Sequence, residues 1–273
     1  MSTDFSYDPV TAIDEATATG ATAEIFADIR QTMGIPLITS IWRGLAGMGD
    51  SLPTAWSATR PIFLSGHPVN ALARVVEQTG LPMPEPLAPT QLACAGISDA
   101  QLKAIRTIID AYNRSNGMNM VALAALIAPQ TGKREDACPN TPPTWAPYPA
   151  LKEREALDDN TWDLIRHVNA FGAPGIDANV ATLWRHLGHW PNLLALIYSA
   201  FAPKHADGSI AAATNRMVEL TRKEGERMAA WRNEETVLSE QARNTITNYV
   251  TTPTQVIRMV TIGHTLAHWL QPR

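Results

Sequence analysis

The sequence predicts an all-α protein, and three observations carry that expectation. Apolar residues recur at helical spacing, helix-capping signatures stand at the starts of those runs, and alternating strand patterns bounded by Asn-Gly or Asp-Gly turns are missing. Taken in order, Ile25, Phe26, Ile29 and Met33 form the first apolar face, and Gly34 ends it. Ser98 and Gln101 make a capping box ahead of Leu102, Ile105, Ile108 and Ile109. Asn113, Asn116 and Asn119 then fall every third residue around Asn116-Gly117, a pattern that predicts a turn or cap within a long helix. From Ala211 to Trp231 a further helix carries Met217, Leu220 and Met228 among charged residues. Pro253 is placed to start or kink the last helix.

Composition narrows the class. Of 273 residues, 45% are apolar and 18% charged, which excludes a disordered chain and implies a large buried fraction. The same low charge leaves room for a further apolar interface, as in a homodimer. A net charge of −4 argues against a nucleic-acid binder, which needs a basic face. Cys94 and Cys138 have no metal-binding or disulfide-framework spacing and read as reduced thiols. The first residues lack the basic and apolar regions of a signal peptide, and the longest wholly apolar run, Val121 to Ala128, is too short to span a bilayer. A cytoplasmic protein without membrane association is expected.

The chain also repeats itself. Residues 41–77 laid on 183–219 without a gap, an offset of 142, match at twelve of 37 positions. The matches include Trp42/Trp184, Arg43/Arg185, Pro61/Pro203 and Gly66/Gly208. Later helices keep the relation at an offset of 137, which sets Tyr112 on Tyr249. Six prolines between Pro129 and Pro149 mark a semi-rigid linker. The expected organisation is therefore a helical unit over residues 1–128, a Pro-rich linker over 129–152 and a second copy of the unit over 153–273. The two together form one pseudo-dimeric domain, with a small-molecule site between the halves.

Several segments then resemble a known family. Ile29-Arg30 with Ile35-Pro36, Arg43-x-Leu45-Ala46 and Leu52-Pro53-x-Ala55-Trp56 are similar to the N-terminal half of the group I 2-haloacid dehalogenases, the DehI family. Ala111-Tyr112-Asn113-x-x-Asn116 and Leu187-Gly188-His189-Trp190-Pro191 resemble its later blocks. The resemblance implies an all-helical two-repeat fold and cofactor-free hydrolysis of 2-haloalkanoic acids. In that reaction an aspartate is the general base, water attacks the α-carbon directly and no covalent ester forms. Position by position, the resemblance puts the pocket asparagine on Asn116, the tyrosine on Tyr249, the small hydroxyl residue on Thr182 and a pocket tryptophan on Leu37. It puts the aspartate itself on Leu183, which cannot take a proton.

Asp177, six residues upstream, is the candidate replacement base; as an N-cap of the helix carrying Leu183 it would have a purely structural role. Two histidine pairs offer a different use of the pocket. His186/His189 and His264/His268 are spaced to share a helix face and could ligate a metal or haem; polar or interface histidines share that spacing. Arg43 and Arg185 are candidates either for a substrate carboxylate or for ion pairs to Glu77 and Glu219. Two functions stay open: a dehalogenase-like hydrolase of small carboxylic acids, and a relative whose pocket serves another ligand. No Gly-rich phosphate loop or Gly-x-Ser-x-Gly elbow supports nucleotide or serine-hydrolase chemistry.

Overall fold

A computed structural model describes residues 12–130, 133–138, 140–176, 180–233 and 237–271. Among them there are α-helices and short tighter turns, and no strand. In chain order the helices are α1 (Gly20–Met33), α2 (Ser40–Ala46), α3 (Ser51–Leu64), α4 (His67–Thr79), α5 (Pro89–Cys94) and α6 (Asp99–Ile127). After the linker come α7 (Asp159–Asn169), α8 (Thr182–Leu187), α9 (Pro191–Ala206), α10 (Ser209–Met228), α11 (Glu240–Thr251) and α12 (Arg258–Trp269).

Local signals act as their chemistry dictates. Gly34 ends α1 in the left-handed conformation at φ 62°, donating its N–H back to the Arg30 carbonyl. The Ser98 hydroxyl accepts from the Gln101 N–H, and the Gln101 side chain accepts from the Ser98 N–H at 2.9 Å, so α6 starts where the capping box puts it. The expected break at the asparagines does not occur. α6 runs through Asn116-Gly117 as one helix of 29 residues. Asn119 has both ends of its amide occupied by side chains of other segments, so it does not compete with its own backbone: it accepts from the Trp42 indole at 3.0 Å and donates to Thr39 at 2.7 Å. The counterpart of α6 in the second half is broken: α11 ends at Thr251, Pro253 opens a wider turn, and Gln255 has non-helical dihedrals before α12 begins.

The helices pack into two cores. The first gathers α1 to α4, the C-terminal half of α6 (Met118 to Leu126), residues of α10, and α11 with Val256, Ile257 and Val260. The second gathers the N-terminal half of α6 (Ile105 to Tyr112), α7 to α9, Ile210 of α10, and α12. Each core thus takes side chains from both sides of the linker. α6 spans both, and α11 and α12 divide between them.

The repeat register lays α2 on α8, α3 on α9 and α4 on α10. Trp42 and Trp184 are both wholly buried, and the glycines before α4 and α10 are both left-handed, at φ 76° and 80°. These matches support our proposal that 1–128 and 153–273 are diverged copies joined by 129–152.

The linker is fastened along its path. The Cys138 N–H donates to the Ser65 carbonyl at 2.7 Å, and its own carbonyl lies where any Cβ at Gly66 would sit. Further on, Pro142 packs on Gly34 and the Trp145 indole donates to the Gly34 carbonyl at 3.3 Å. Cys94 and Cys138 are both free thiols. Among the described residues no helix is long and apolar enough to cross a membrane.

Candidate functional site

A cavity of about 330 Å³ opens where the two halves meet. The first half contributes Leu37 to Ser40 with Arg43 from the start of α2, and Tyr112, Asn113 and Asn116 from α6. The second half contributes Ala181, Thr182, Leu183 and His186 around α8, with Val256, Met259 and Val260 from the α11–α12 break. The linker closes one side with Tyr148, Ala150 and Leu151, and Glu153 follows directly after it.

Four of the residues singled out from the sequence, Leu37, Asn116, Thr182 and Leu183, line this cavity together. Tyr249 stands behind them: its hydroxyl donates to Asn116 Oδ1 at 3.3 Å, which leaves the Asn116 amide nitrogen as a donor. Asp177 lies outside the described residues. The helix it was expected to cap has Ala181 as its N-cap instead, with no side-chain cap. The Ala181 N–H is satisfied across the fold by Asn169 Oδ1 at 3.0 Å.

Several polar groups of the lining had no role in the hydrolytic reading of the sequence. Asn113 is buried, and among the described residues its Nδ2 has no hydrogen-bond partner. Its place on the same helix face as Asn116, three residues earlier, is the signal that could have found it. His186 was singled out only for its pairing with His189. Tyr112 stood out as the repeat partner of Tyr249 and within the Ala111-Tyr112-Asn113-x-x-Asn116 block, with no chemical role. Tyr148 carries no sequence signal, because a linker residue reaches the site through the path of the chain alone.

His186 is fixed on both nitrogens. Its Nε2 is 2.7 Å from the Pro149 carbonyl oxygen, which can only accept, so the ring proton sits on Nε2. Nδ1 then carries the lone pair and accepts from the Tyr112 hydroxyl at 3.4 Å. Tyr112 and Tyr148 meet the imidazole edge-on. Burial lowers the His186 pKa below the usual histidine value, the Pro149 bond opposes that shift, and neighbouring His189 adds to it; the ring is neutral near pH 7. Burial raises the Tyr148 pKa, so that hydroxyl also stays protonated.

The charged residues around the cavity are already committed. Arg43 donates to the Ile13 carbonyl and to Asp14 at 3.4 Å. Arg185 pairs with Glu153 at 3.3 Å and donates to the Lys152 carbonyl at 3.0 Å. The arginine partners are therefore Asp14 and Glu153, not Glu77 and Glu219, because the segments before α1 and α7 lie closer to α2 and α8 than α4 or α10 do. Glu15 accepts from the Ile38 N–H and pairs with Arg30.

The histidine pairs do not form a ligand cluster. His189 Nε2 faces the Ala150 carbonyl at 2.8 Å just as His186 Nε2 faces Pro149, so both nitrogens are spent on the linker. Among the described residues no three His, Cys, Asp or Glu side chains converge as a metal site would need.

The fold is all-helical, with a cavity walled by both halves of the chain, and comparison with known proteins agrees on the fold. No protein-family model matches the chain. It is 23% identical over 242 residues to a configuration-inverting 2-haloacid dehalogenase of Pseudomonas sp. (strain 113), covering 81% of this chain and 78% of that protein. It is 24% identical over 115 residues to a configuration-inverting 2-haloacid dehalogenase of Alcaligenes xylosoxydans xylosoxydans, covering 42% of this chain and 39% of that one. Among solved structures, a D-2-haloacid dehalogenase in complex with L-LA superposes with a TM-score of 0.76 at 15% identity, over 97% of this chain and 98% of that one. A mutant D-2-haloacid dehalogenase in complex with D-2-CPA gives 0.67 at 14% identity, over 97% and 96%. The chain resembles the configuration-inverting 2-haloacid dehalogenases in sequence and shares the all-helical fold of the D-2-haloacid dehalogenases.

Proposed function

We propose that the chain hydrolyses small 2-halocarboxylic acids in this cavity, by direct attack of water on the α-carbon with inversion of configuration. The observation that carries the reading is the meeting of Leu37, Asn116, Thr182 and Leu183 on one cavity, at the positions the family resemblance assigns to the pocket. The chemistry of the lining suits the substrate class. The amide nitrogens of Asn113 and Asn116 and the Thr182 hydroxyl are donors for a carboxylate. Leu183, Val256, Met259 and Val260 make an apolar wall for the short alkyl chain and the halogen.

Displacement of halide by water releases a proton, so the reaction needs an acceptor near the attacking oxygen. The sequence offers Asp177 as one candidate acceptor, and it lies outside the described residues. The direct test supplies both enantiomers of 2-chloropropionate and measures chloride release together with the configuration of the lactate formed. Release with inversion is the expected outcome, and no halide from either enantiomer overturns the reading.

A second reading is favoured by Leu183, an apolar side chain where the resemblance calls for the base. On that reading the cavity binds a small acid without turnover. Saturable binding of 2-chloropropionate with no chloride release is its signature.

A further inference from the structure

Where the family resemblance calls for a carboxylate the cavity has Leu183, and one helical turn further on it holds an imidazole. Residues three apart on a helix share a face, so His186 faces the same space as Leu183, and both line the cavity. Among the described residues, the carboxylates of the lining already have partners. Asp14 caps Ala16 and meets Arg43, Glu15 holds the Ile38 N–H and Arg30, and Glu153 pairs with Arg185. An acceptor must have an available lone pair and sit within reach of the reacting water. His186 Nδ1 has the lone pair because the Pro149 carbonyl claims the proton on Nε2.

We propose that His186 is the general base of the reaction assigned above, taking the water's proton at Nδ1 through the Tyr112 hydroxyl. The step balances. The water oxygen forms a bond to the α-carbon, and the carbon–halogen bond breaks with its electron pair leaving as halide. One water proton passes to the Tyr112 oxygen as the Tyr112 proton passes to Nδ1. The resulting imidazolium returns its proton to solvent, so the net products are a 2-hydroxy acid, halide and one proton. The Pro-rich linker thereby gains a chemical role: one of its backbone carbonyls selects the histidine tautomer. The groups facing the ring are Tyr112 from α6, Tyr148 from the linker and His189 from the end of its own helix. Arg43, Asp14, Glu15 and Glu153 stand around the same cavity.

The inference rests on the hydrolase reading, and its test separates the two. His186→Gln, Tyr112→Phe and Asp177→Asn are compared with wild type for chloride release from 2-chloropropionate between pH 5 and 9, with L-lactate binding followed by tryptophan fluorescence. In His186→Gln, kcat is expected to fall about 100-fold or more while lactate binding stays within a few-fold of wild type. The acid limb of the wild-type pH profile, where protonation of His186 removes the base, is expected to vanish with it. Tyr112→Phe should lose about 10-fold, since water can take the hydroxyl's place beside Nδ1.

A His186→Gln protein that keeps more than a tenth of wild-type kcat with an unchanged acid limb overturns the inference and leaves the hydrolase reading standing. Loss of activity in Asp177→Asn with normal lactate binding does the same. Inactive wild type, in contrast, overturns the hydrolase reading itself. Should the His186 variant fail to fold, nitrogen NMR of histidine-labelled wild type decides: a proton on Nδ1 of His186 at pH 7 overturns the inference.

Discussion

The two cores are built from matching helices, yet they treat matching tryptophans differently. In the first core the Trp42 indole donates to Asn119, which in turn donates to Thr39, and the Trp56 indole donates to Asp28, itself gripped by Arg60. In the second, the equally buried Trp184 has no partner for its indole N–H among the described residues. The repeat register explains this: the position matching Asn119 is Val256, and that matching Asp28 is Ala170. Neither side chain can accept a hydrogen bond from an indole. The pocket chemistry shows the opposite asymmetry. Thr182, Leu183 and His186 of α8 match Ser40, Ile41 and Gly44 of α2, so an imidazole stands on one side only.

The strongest way to break the comparison is to disturb what both cores share. At Gly225 of α10 an added Cβ would lie 2.7 Å from the Ala124 Cβ and 2.8 Å from its backbone on α6. Gly225→Val is expected to cost about 3 kcal/mol and to loosen both cores in one transition. Urea unfolding followed by tryptophan fluorescence and by far-UV dichroism checks this; separate midpoints would show that α6 does not couple them.

A pH effect of about 2 kcal/mol should come from α12, where His264 has a buried Nε2 without a partner among the described residues. Burial, with a smaller contribution from His268, lowers its pKa to about 4. The unfolded chain's histidine titrates near 6.5, so between those values the unfolded state binds the extra proton. Stability is therefore full above about pH 6.5 and falls as pH drops toward 4, by about 2 kcal/mol between pH 7 and 5. In the first half the matching position is Ile127, which contributes no such slope. His264→Leu should flatten the slope over that range; an unchanged slope would assign it to other groups.

The tryptophans themselves sharpen the contrast. Trp42→Phe leaves Asn119 Oδ1 buried without its donor, whereas Trp184→Phe removes an indole N–H that bonds to nothing described. Trp42→Phe should cost about 1.5 kcal/mol more than Trp184→Phe in chemical denaturation. Equal costs would mean the Asn119 contact adds no net stability. The smallest effect is expected just after the linker, where Glu153 is 78% exposed in its pair with Arg185. Glu153→Gln should change stability by less than about 0.5 kcal/mol and lose even that in high salt.

Much of the fold was legible in the sequence. Apolar periodicity at Ile25 to Met33, the Ser98–Gln101 box and Pro253 each act through bonds a few residues away, so local chemistry sufficed. The asparagine run misled for the same reason. Read locally it predicts a turn, but the partners of Asn119 are Trp42 and Thr39, nearly eighty residues distant. The site was half legible: Leu37, Asn116, Thr182 and Leu183 follow from the family resemblance, whereas Tyr148 enters only because the linker passes there.

The sequence by itself determined an all-helical chain and marked its internal repeat, because helix periodicity and capping are encoded over spans of three to eleven residues. Which distant segments would surround one cavity, and the tautomer of His186, fell to tertiary structure alone. Hydrophobic burial brings α2, α6, α8 and the linker together without regard to sequence distance, and only then does the Pro149 carbonyl meet the ring.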